Sequence, residues 1–248
     1  IGAKDNNRKT ILHYACDNNN LPFIKSLIKR DEFDVTDTDS NGKNILHIAC
    51  DNYNSDINII RFIVSLNKID INAKTKDGNT ALSYLCSNSS NLQAIKYFTK
   101  LKGVDLQTTD SEGQTLLHKA IYLEDLLVVK YLISLGKIDL TAKDKEGKTV
   151  LHMACENSSY QIIRYLISLN KLDLTEKDKE GKTILHYACD NSNYFEVIKY
   201  LVSLNKVDLD AKDDNQKTIL FDLCEKGNLD LVSSLINNHQ FDLEEKDD

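Results

Sequence analysis

A short motif recurs along this chain at a nearly constant spacing, and that repetition restricts the fold more than any other feature. The string Thr-x-Leu-His-x-Ala-Cys, with at most one change, occurs at Thr10–Cys16, Asn44–Cys50, Thr149–Cys155 and Thr183–Cys189. Weaker copies begin at Thr80, Thr115 and Thr218. The seven first residues are 34, 36, 35, 34, 34 and 35 positions apart. A period of this length indicates one small unit stacked repeatedly, which is a solenoid.

The motif itself predicts a short helix preceded by a turn. Thr149 is a suitable N-cap, because its hydroxyl can accept a free backbone N–H of the first helical turn. Gly147 suits a turn position with positive φ. Leu151, Ala154 and Cys155 are spaced i, i+3 and i+4, so they form one stripe of the helix.

A second apolar helical face follows each motif, as in Ile162, Ile163, Leu166 and Ile167. Two short helices cannot bury these faces alone, so neighbouring copies must cover them. Insertions fall between the first helix and a recurrent aspartate such as Asp173, while the ten-residue step from that aspartate to the next motif never changes. The turn region therefore has a fixed geometry, and the loop between the helices tolerates extra length.

The segment Asp178–Cys189 resembles the ankyrin-repeat pattern Asp-x-x-Gly-x-Thr-Pro-Leu-His-x-Ala-Ala, with Ile184 at the proline and Cys189 at the last alanine. The resemblance implies an all-α solenoid of helix-turn-helix units joined by β-hairpin-like loops, with a concave recognition surface. It also implies one domain over residues 1–248. The repeats fall at approximately 5–38, 39–74, 75–109, 110–143, 144–177, 178–212 and 213–246.

Composition narrows the class of partner. The net charge of −7 argues against a general nucleic-acid binder, because phosphate binding needs a basic face. No apolar run approaches the roughly 20 residues of a membrane span, so we expect no membrane association.

The first residues, Ile1–Lys4, match the end of a repeat, and Asp247 begins another turn. We therefore expect the chain to be part of a longer array, monomeric but able to associate end to end.

Histidine and cysteine recur at fixed repeat positions. The histidines are His13, His47, His118, His152 and His186, and the cysteines are Cys16, Cys50, Cys86, Cys155, Cys189 and Cys224. His-x-x-Cys on one helical face would fit a metal site, but helices pack roughly 8–10 Å apart, too far for neighbouring repeats to share one zinc ion. We therefore predict no metal and no cofactor: the histidine bonds loop backbone and the cysteine is a small buried apolar residue.

Cysteine spacing also bears on the redox environment. Equivalent positions in adjacent repeats are too distant for the roughly 4.4–6.8 Å Cα separation of a disulfide. Unpaired thiols indicate a reducing compartment, so we expect the cytoplasm or the nucleus.

The sequence contains no catalytic motif, such as a glycine-rich phosphate loop or His-Glu-x-x-His. The recurrent carboxylates Asp110, Asp144, Asp178 and Asp213 fall at turn positions, where they stabilise turns. A stacked repeat separates such groups, so we predict that this chain is not an enzyme.

The ankyrin resemblance implies that a partner contacts the hairpin tips and the first helices. The residue after the histidine varies among copies and supplies candidates: Tyr14, Ile48, Tyr84, Lys119, Met153 and Tyr187. The tyrosines could equally be half-buried packing residues, and the sequence leaves that open. Recurrent lysines before the motif, such as Lys43 and Lys148, could steer a charged partner or simply be a solvated face.

The fourth repeat breaks a polar pattern. Four other repeats carry an acidic residue and an amide after the cysteine, as in Asp51-Asn52, whereas this repeat has Tyr122-Leu123. An apolar break in a polar stripe predicts a partner anchor, although loop repacking would also explain it. We predict a non-enzymatic scaffold that binds another protein, with two alternatives: a passive structural spacer, or an array attached to an enzyme module outside this chain.

Overall fold

The structure is a computed structural model that describes residues 3–30, 33–53, 55–88, 91–157, 159–190, 194–227 and 229–238. These residues form α-helices and no strand, and each repeat contributes two helices, as predicted. The first helices are α1 (Ile11–Asp17), α3 (Ile45–Asp51), α5 (Ala81–Asn88), α7 (Leu116–Tyr122), α9 (Val150–Glu156), α11 (Ile184–Asp190) and α13 (Ile219–Glu225). The second helices are α2 (Leu21–Ile28), α4 (Ile57–Ser65), α6 (Leu92–Phe98), α8 (Leu126–Ser134), α10 (Tyr160–Ser168), α12 (Tyr194–Ser203) and α14 (Leu229–Asn238).

The chain divides into two compact units, residues 1–138 and 139–248. In the first unit α1, α3, α5 and α7 pack in succession, and each also packs on the second helix of its own repeat. In the second unit α9, α11 and α13 do the same with α10, α12 and α14. Each unit is thus a short helical solenoid. The single domain over residues 1–248 and the exact repeat limits stay predictions.

The apolar stripes predicted from sequence form the cores of these stacks. Leu151, Ala154 and Cys155 on α9 are buried, as are their equivalents in the first six repeats, whereas in the seventh Leu220 is half-buried and Cys224 is exposed. On the second helices after α2, a pair of residues and a third one turn later are buried, for example Ile162, Ile163 and Leu166. Ile167, predicted to share that face, is only half-buried. Burial of small Ala and Cys side chains lets neighbouring first helices approach closely.

The predicted turns are built around an aspartate side chain. Asp178 Oδ1 accepts the backbone N–H of Glu180 at 2.9 Å and that of Lys182 at 2.8 Å. Gly181 follows with φ of 75°. Asp110, Asp144 and Asp213 accept equivalent backbone hydrogen bonds, so the turn role predicted for these carboxylates is confirmed.

Successive hairpin turns are hydrogen-bonded to one another. In the first unit Lys76 N–H donates to Asn41 O at 2.9 Å, and Ser111 N–H donates to Asp77 O at 2.8 Å. In the second unit Lys179 N–H donates to Glu146 O at 2.9 Å. These bonds require every turn to present the same atoms at the same height. They account for the invariant ten-residue step between the recurrent aspartate and the next motif.

The second helices carry a regular contact that the sequence analysis did not identify. A basic side chain of one repeat lies over an aromatic ring of the next, with cation-to-centroid distances of 5.3 to 5.9 Å. The pairs are Lys25–Phe62, Arg61–Tyr97 and Lys96–Tyr131 in the first unit, and Arg164–Tyr200 in the second. Each such cation–π contact stabilises the folded protein by about 0.5–1 kcal/mol at an exposed site. A recurrent basic-aromatic dipeptide, as in Lys96-Tyr97, was the available signal.

The stacking of turns predicts unequal costs for two glycine-to-alanine changes. Gly78 and Gly103 both have positive φ, 75° and 85°, so alanine at either site should cost about 1–2 kcal/mol of unfolding free energy. A Cβ on Gly78 would also lie 2.8 Å from Ser111 N, whereas one on Gly103 would meet nothing within 4 Å. We expect Gly78→Ala to cost at least about 1 kcal/mol more than Gly103→Ala. Urea denaturation of both variants tests this, and equal costs would contradict the stacking argument.

Candidate functional site

The histidines of the first, fifth and sixth repeats link their first helix to the following repeat. His13 Nδ1 accepts the Thr10 backbone N–H at 3.1 Å, and His13 Nε2 lies 3.0 Å from Lys43 O. Because Nδ1 accepts an N–H, the proton sits on Nε2, which donates to the carbonyl. His152 and His186 make the same bonds to Lys182 O and Lys217 O. The structural interpretation of the histidines is therefore confirmed.

The cysteines are buried with one exception. Cys16, Cys50, Cys86, Cys155 and Cys189 are buried free thiols, as predicted for small apolar core residues, whereas Cys224 is exposed. Burial raises the pKa of Cys16 and Cys86 to about 12, and raises the pKa of Cys50 and Cys155 far above the usual thiol range. These four thiols therefore stay protonated and unreactive at neutral pH.

Catalytic or metal-binding groups do not converge in the part of the chain that the structure describes. Over those residues no group of three or more His, Cys, Asp or Glu side chains could hold a metal ion. Two grooves lie between neighbouring repeats: one is lined by Leu46, Val64 and Leu101, and the other by Ile167, Leu172 and Leu204. Both lie where one repeat packs on the next, and neither contains a cluster of titratable groups, so we interpret them as features of repeat packing.

The variable residue after the histidine has a structural partner in several repeats. Tyr14 Oη donates to Asp5 Oδ2 at 2.6 Å, and Tyr187 Oη donates to Asp178 Oδ2 at 2.6 Å. Lys119 Nζ bonds Asp110 Oδ2 at 2.6 Å. Burial raises the pKa of Tyr187, and its hydrogen bond to the Asp178 carboxylate raises it further. The residue at this position thus bonds the Oδ2 atom of the aspartate in its own turn.

Two of the candidate tyrosines also pack against the preceding repeat. The Tyr84 ring lies edge-on to the His47 ring, with 6.0 Å between the ring centroids, and Lys43 Nζ lies 4.5 Å from the Tyr84 centroid. Tyr187 contacts His152 and Lys148 in the same way, at 5.5 and 4.8 Å. These rings therefore join repeats to one another.

Burial divides the eight predicted partner-binding residues. Ile48, Tyr84, Lys119, Met153 and Tyr187 are buried. Tyr14 and Tyr122 are exposed, and Leu123 is half-buried. A binding role for these residues stays a prediction, but the surface available to a partner at these positions comes mainly from Tyr14, Tyr122 and Leu123.

The lysines before the motif pair with carboxylates at the end of the same first helix. Lys43 Nζ lies 2.5 Å from Asp51 Oδ2, Lys148 Nζ lies 3.1 Å from Glu156 Oε1, and Lys217 Nζ lies 3.5 Å from Glu225 Oε2. Burial works against the charged form of Lys43, but its bond to Asp51 prevails and raises its pKa. The lysines predicted to be a solvated or steering stripe are thus largely engaged within the protein.

Both members of this ion pair are replaced together in the third and fourth repeats. Asn79 and Ser87 occupy the two positions in the third repeat, and Gln114 and Tyr122 occupy them in the fourth. The surface of the first helices is therefore free of these ion pairs over two adjacent repeats of the first unit. Tyr122 is the large side chain within that neutral stretch.

Tyr122 is one of three apolar residues that we call the apolar tip: Tyr122, Leu123 and Leu127, where α7 ends and α8 begins. Tyr122 is 68% exposed and Leu127 is 67% exposed. Sequence analysis missed Leu127, which precedes the buried pair Val128-Val129. The residues at the Leu127 position in the other repeats are Pro22, Asn58, Gln93, Gln161, Glu196 and Asp230. Aligning the second helices by their buried pair would have identified Leu127 as the exception.

The loop within the apolar tip has a defined conformation. Glu124 N–H donates to Ile121 O at 2.9 Å, and Asp125 N–H donates to Ala120 O at 3.4 Å, which is a Schellman helix end. Glu124 has φ of 56°, and Asn19 has φ of 52° in the equivalent loop of the first repeat. Asp125 Oδ1 then accepts Leu127 N–H at 3.0 Å and caps α8. The apolar tip is therefore held in place before any partner binds.

The exposed apolar side chains Ile11 and Phe23 differ from the apolar tip. Ile11 and Phe23 are exposed on the first repeat, at positions that are buried in the next repeats, such as Ile45 and Ile59. They are frame residues without a repeat packed on them here. Tyr122 and Leu127 replace residues that are polar in almost every other repeat, so the frame does not require them.

Comparison with known proteins agrees with this architecture. A family model described as ankyrin repeats, in three copies, matches residues 1–75, 52–144 and 129–213. The chain therefore belongs to the ankyrin-repeat family, whose repeats are general protein-interaction modules and are typically non-enzymatic. No curated protein matches the chain. Among the described residues, no helix is both long enough and apolar enough to cross a membrane.

The histidine bridges predict a loss of stability in mild acid. Burial lowers the pKa of His13, His47 and His152 in the folded state, whereas the unfolded chain titrates near about 6.5. Above that pH neither state is protonated. As the pH falls below about 6.5, the unfolded state binds protons before the folded state does. Each histidine therefore lowers the free energy of unfolding by up to about 1.4 kcal/mol per pH unit, until the pH reaches its pKa in the folded state.

Denaturation between pH 7.5 and about 5 measures this effect. The matched control replaces these three histidines with serine, because Ser83 occupies the same position in the third repeat and its Oγ lies 3.3 Å from Thr80 N. The control should be less stable but should lose less stability on acidification. A pH dependence that the three substitutions leave unchanged would contradict the assignment.

Thiol exposure predicts two classes of cysteine. In the folded chain Cys224 should react rapidly with a disulfide reagent, because it is exposed. The five buried thiols should react only as fast as the protein opens. Absorbance of the released thiolate follows the reaction, and Cys224→Ser should remove the fast phase. A fast phase equivalent to most of the thiols would show that the core is open.

Proposed function

We propose that this chain is a non-enzymatic scaffold that binds a partner protein through its first helices and the adjoining loops, centred on the fourth repeat. The observation that carries the proposal is the apolar tip. At its three positions the other repeats carry charged or polar residues, apart from one proline, whereas the fourth repeat carries Tyr122, Leu123 and Leu127. Exposing two large apolar side chains gives the free protein no stability, so their use in binding is the better explanation.

The surroundings of Tyr122 support the same proposal. Ion pairs of the Lys43–Asp51 type are absent at Asn79/Ser87 and Gln114/Tyr122, so a partner need not break them to dock. Breaking a partly buried ion pair carries a desolvation cost, and a surface without such a pair avoids it. The frame of the repeats survives these replacements unchanged, because Thr115 and His118 still form their capping pair.

The conformation of the apolar tip favours binding with little reorganisation. The Schellman end of α7 and the Asp125 cap fix the loop, so a partner need not order it. Ordering costs of about 0.5–1.5 kcal/mol for each immobilised side chain are correspondingly limited to the side chains themselves. Tyrosine is also well suited to such a role, because it combines a large apolar area with few rotatable bonds.

For localisation, we propose a reducing compartment, the cytoplasm or the nucleus. The six cysteines are all free thiols, five of them buried in the repeat cores. Oxidation of these thiols would need the core to open, so a reducing environment suits this composition.

The proposal predicts the effect of a double substitution at the apolar tip. Tyr122→Asn with Leu123→Asn should weaken binding of the partner protein by tenfold or more, which corresponds to about 1.4 kcal/mol. The partner is first isolated by affinity capture from cells that express the chain, and its affinity is then measured by titration calorimetry. The control is Tyr53→Asn, because Tyr53 is 83% exposed in the second repeat but lies outside the apolar tip. A folded double variant with unchanged affinity, or no captured partner, would favour a passive spacer instead.

A further inference from the structure

We infer that the apolar tip binds a short partner segment that combines apolar side chains with flanking lysine or arginine. This inference rests on the proposed function, because it specifies the chemistry of the partner at that same surface. It follows from the shape of the apolar tip, from the charges around it, and from the choice of one residue in its loop.

The apolar tip offers two exposed side chains and one half-buried side chain. Tyr122 is the last residue of α7 and Leu127 is the second residue of α8, and both are about two-thirds exposed. Leu123 lies between them in the chain and is half-buried. Three side chains of this size cover a small area, which suits a short segment with one or two apolar residues and not an extended protein surface.

The charges near these side chains are predominantly negative. The loop between Leu123 and Leu127 carries two carboxylates, Glu124 and Asp125, and no basic residue. Lys119, on the adjoining α7, is buried and its Nζ lies 2.6 Å from Asp110 Oδ2, so it offers no cationic side chain to a partner. The exposed residue inside the tip loop is Glu124. An approaching partner therefore meets apolar surface with an acidic rim, which favours a cationic flank.

The identity of residue 124 gives a second, independent indication. The left-handed backbone at this position, with φ of 56°, disfavours glutamate, whereas asparagine adopts it more readily. The first repeat uses Asn19 in the same conformation. Glutamate therefore costs the fold some stability here, and its negative charge is the property that asparagine would not supply. A residue in a disfavoured backbone conformation that adds a charge to an exposed apolar loop points to recognition.

The same charges disfavour other occupants. Two copies of this chain facing each other through their apolar tips would bring two Glu124 and two Asp125 side chains together, within proteins whose net charge is already −7. Nucleic acid is disfavoured for the same reason, since its phosphates would meet carboxylates. A basic-apolar protein segment is the occupant that satisfies both the exposed area and the sign of the charge.

The first experiment selects displayed short random peptides on the whole chain and sequences the bound fraction. The comparison variant is Tyr122→Asp, Leu123→Asn, Leu127→Gln, which restores residues used by other repeats, as in Asp51, Asn52 and Gln93. Because those repeats fold with these residues, the variant should fold normally. We expect peptides enriched in both large apolar and basic residues on the wild type, with tenfold or greater loss of affinity on the variant.

The second experiment separates charge from shape. Glu124→Asn removes the carboxylate and keeps a residue that tolerates the left-handed backbone, so it should be at least as stable as the wild type. It should weaken a selected peptide at least threefold and reduce the salt dependence of its affinity. The matched control is Glu112→Gln, which removes an exposed carboxylate from the hairpin turn and should leave the affinity unchanged.

Several outcomes would overturn the inference. Selected peptides that are acidic or uncharged, yet still lost on the triple variant, would refute the basic chemistry while leaving the proposed function standing. Peptides that bind wild type and triple variant equally, or an absence of enriched peptides, would show that the apolar tip recognises no such segment. Concentration-dependent dimers in sedimentation that the triple variant abolishes would make a second copy the occupant. The proposed function fails separately, if the partner protein captured from cells ignores the apolar tip.

Discussion

The contact between one repeat and the next is the interaction on which the rest of the structure depends. Neither helix of a repeat can cover its own apolar face, so each repeat is stable only when its neighbour is in place. Three polar devices set the register of that contact: the histidine that bonds the next backbone, as in His13 to Lys43 O, the hydrogen bond between successive turns, as in Ser111 to Asp77 O, and the cation over the next ring, as in Lys96 over Tyr131. Each device joins fixed atoms, so the turn cannot change length. The loop between the helices makes none of these contacts and is where the chain varies.

This division of labour explains where recognition can arise. The positions that join repeats must keep their chemistry, and several positions that vary in sequence turn out to be joined as well. Tyr84 and Tyr187 differ from Ile48 and Met153, yet all four are buried. The residues that can change without loss of the fold lie at the ends of the helices. There the apolar tip replaces polar residues, and the Thr115–His118 cap of the same helix is still formed. A scaffold of this kind can therefore change its partner surface without changing its fold.

Sequence reasoning succeeded where the repeat imposed a period and was incomplete where packing between repeats decided the outcome. The helix pairs, the Thr149 cap, the Gly147 turn and the burial of Cys155 follow from local preferences that recur in every copy. The exposure of Tyr122 was consistent with its place in a polar stripe. Leu127 was not identified, because the variable loop obscures the alignment of the second helices. Tyr14 and Tyr187 occupy the same repeat position, but one is exposed and the other buried, since burial depends on the preceding repeat.

The amino-acid sequence by itself determined that this chain is a solenoid of stacked helical units, because two short apolar faces repeated every 34 to 36 residues are buried only against neighbouring copies. The resemblance of Asp178–Cys189 to the ankyrin pattern then indicated which kind of unit is stacked. It also determined which residues depart from the common pattern. Only the tertiary structure decided which of those departures reach the surface. Lys119 lies at a position that varies among the repeats, yet it is buried and paired with Asp110, whereas Tyr122, three residues later, is exposed. The physical reason is that burial is a property of the space between neighbouring repeats, which no single copy of the motif contains.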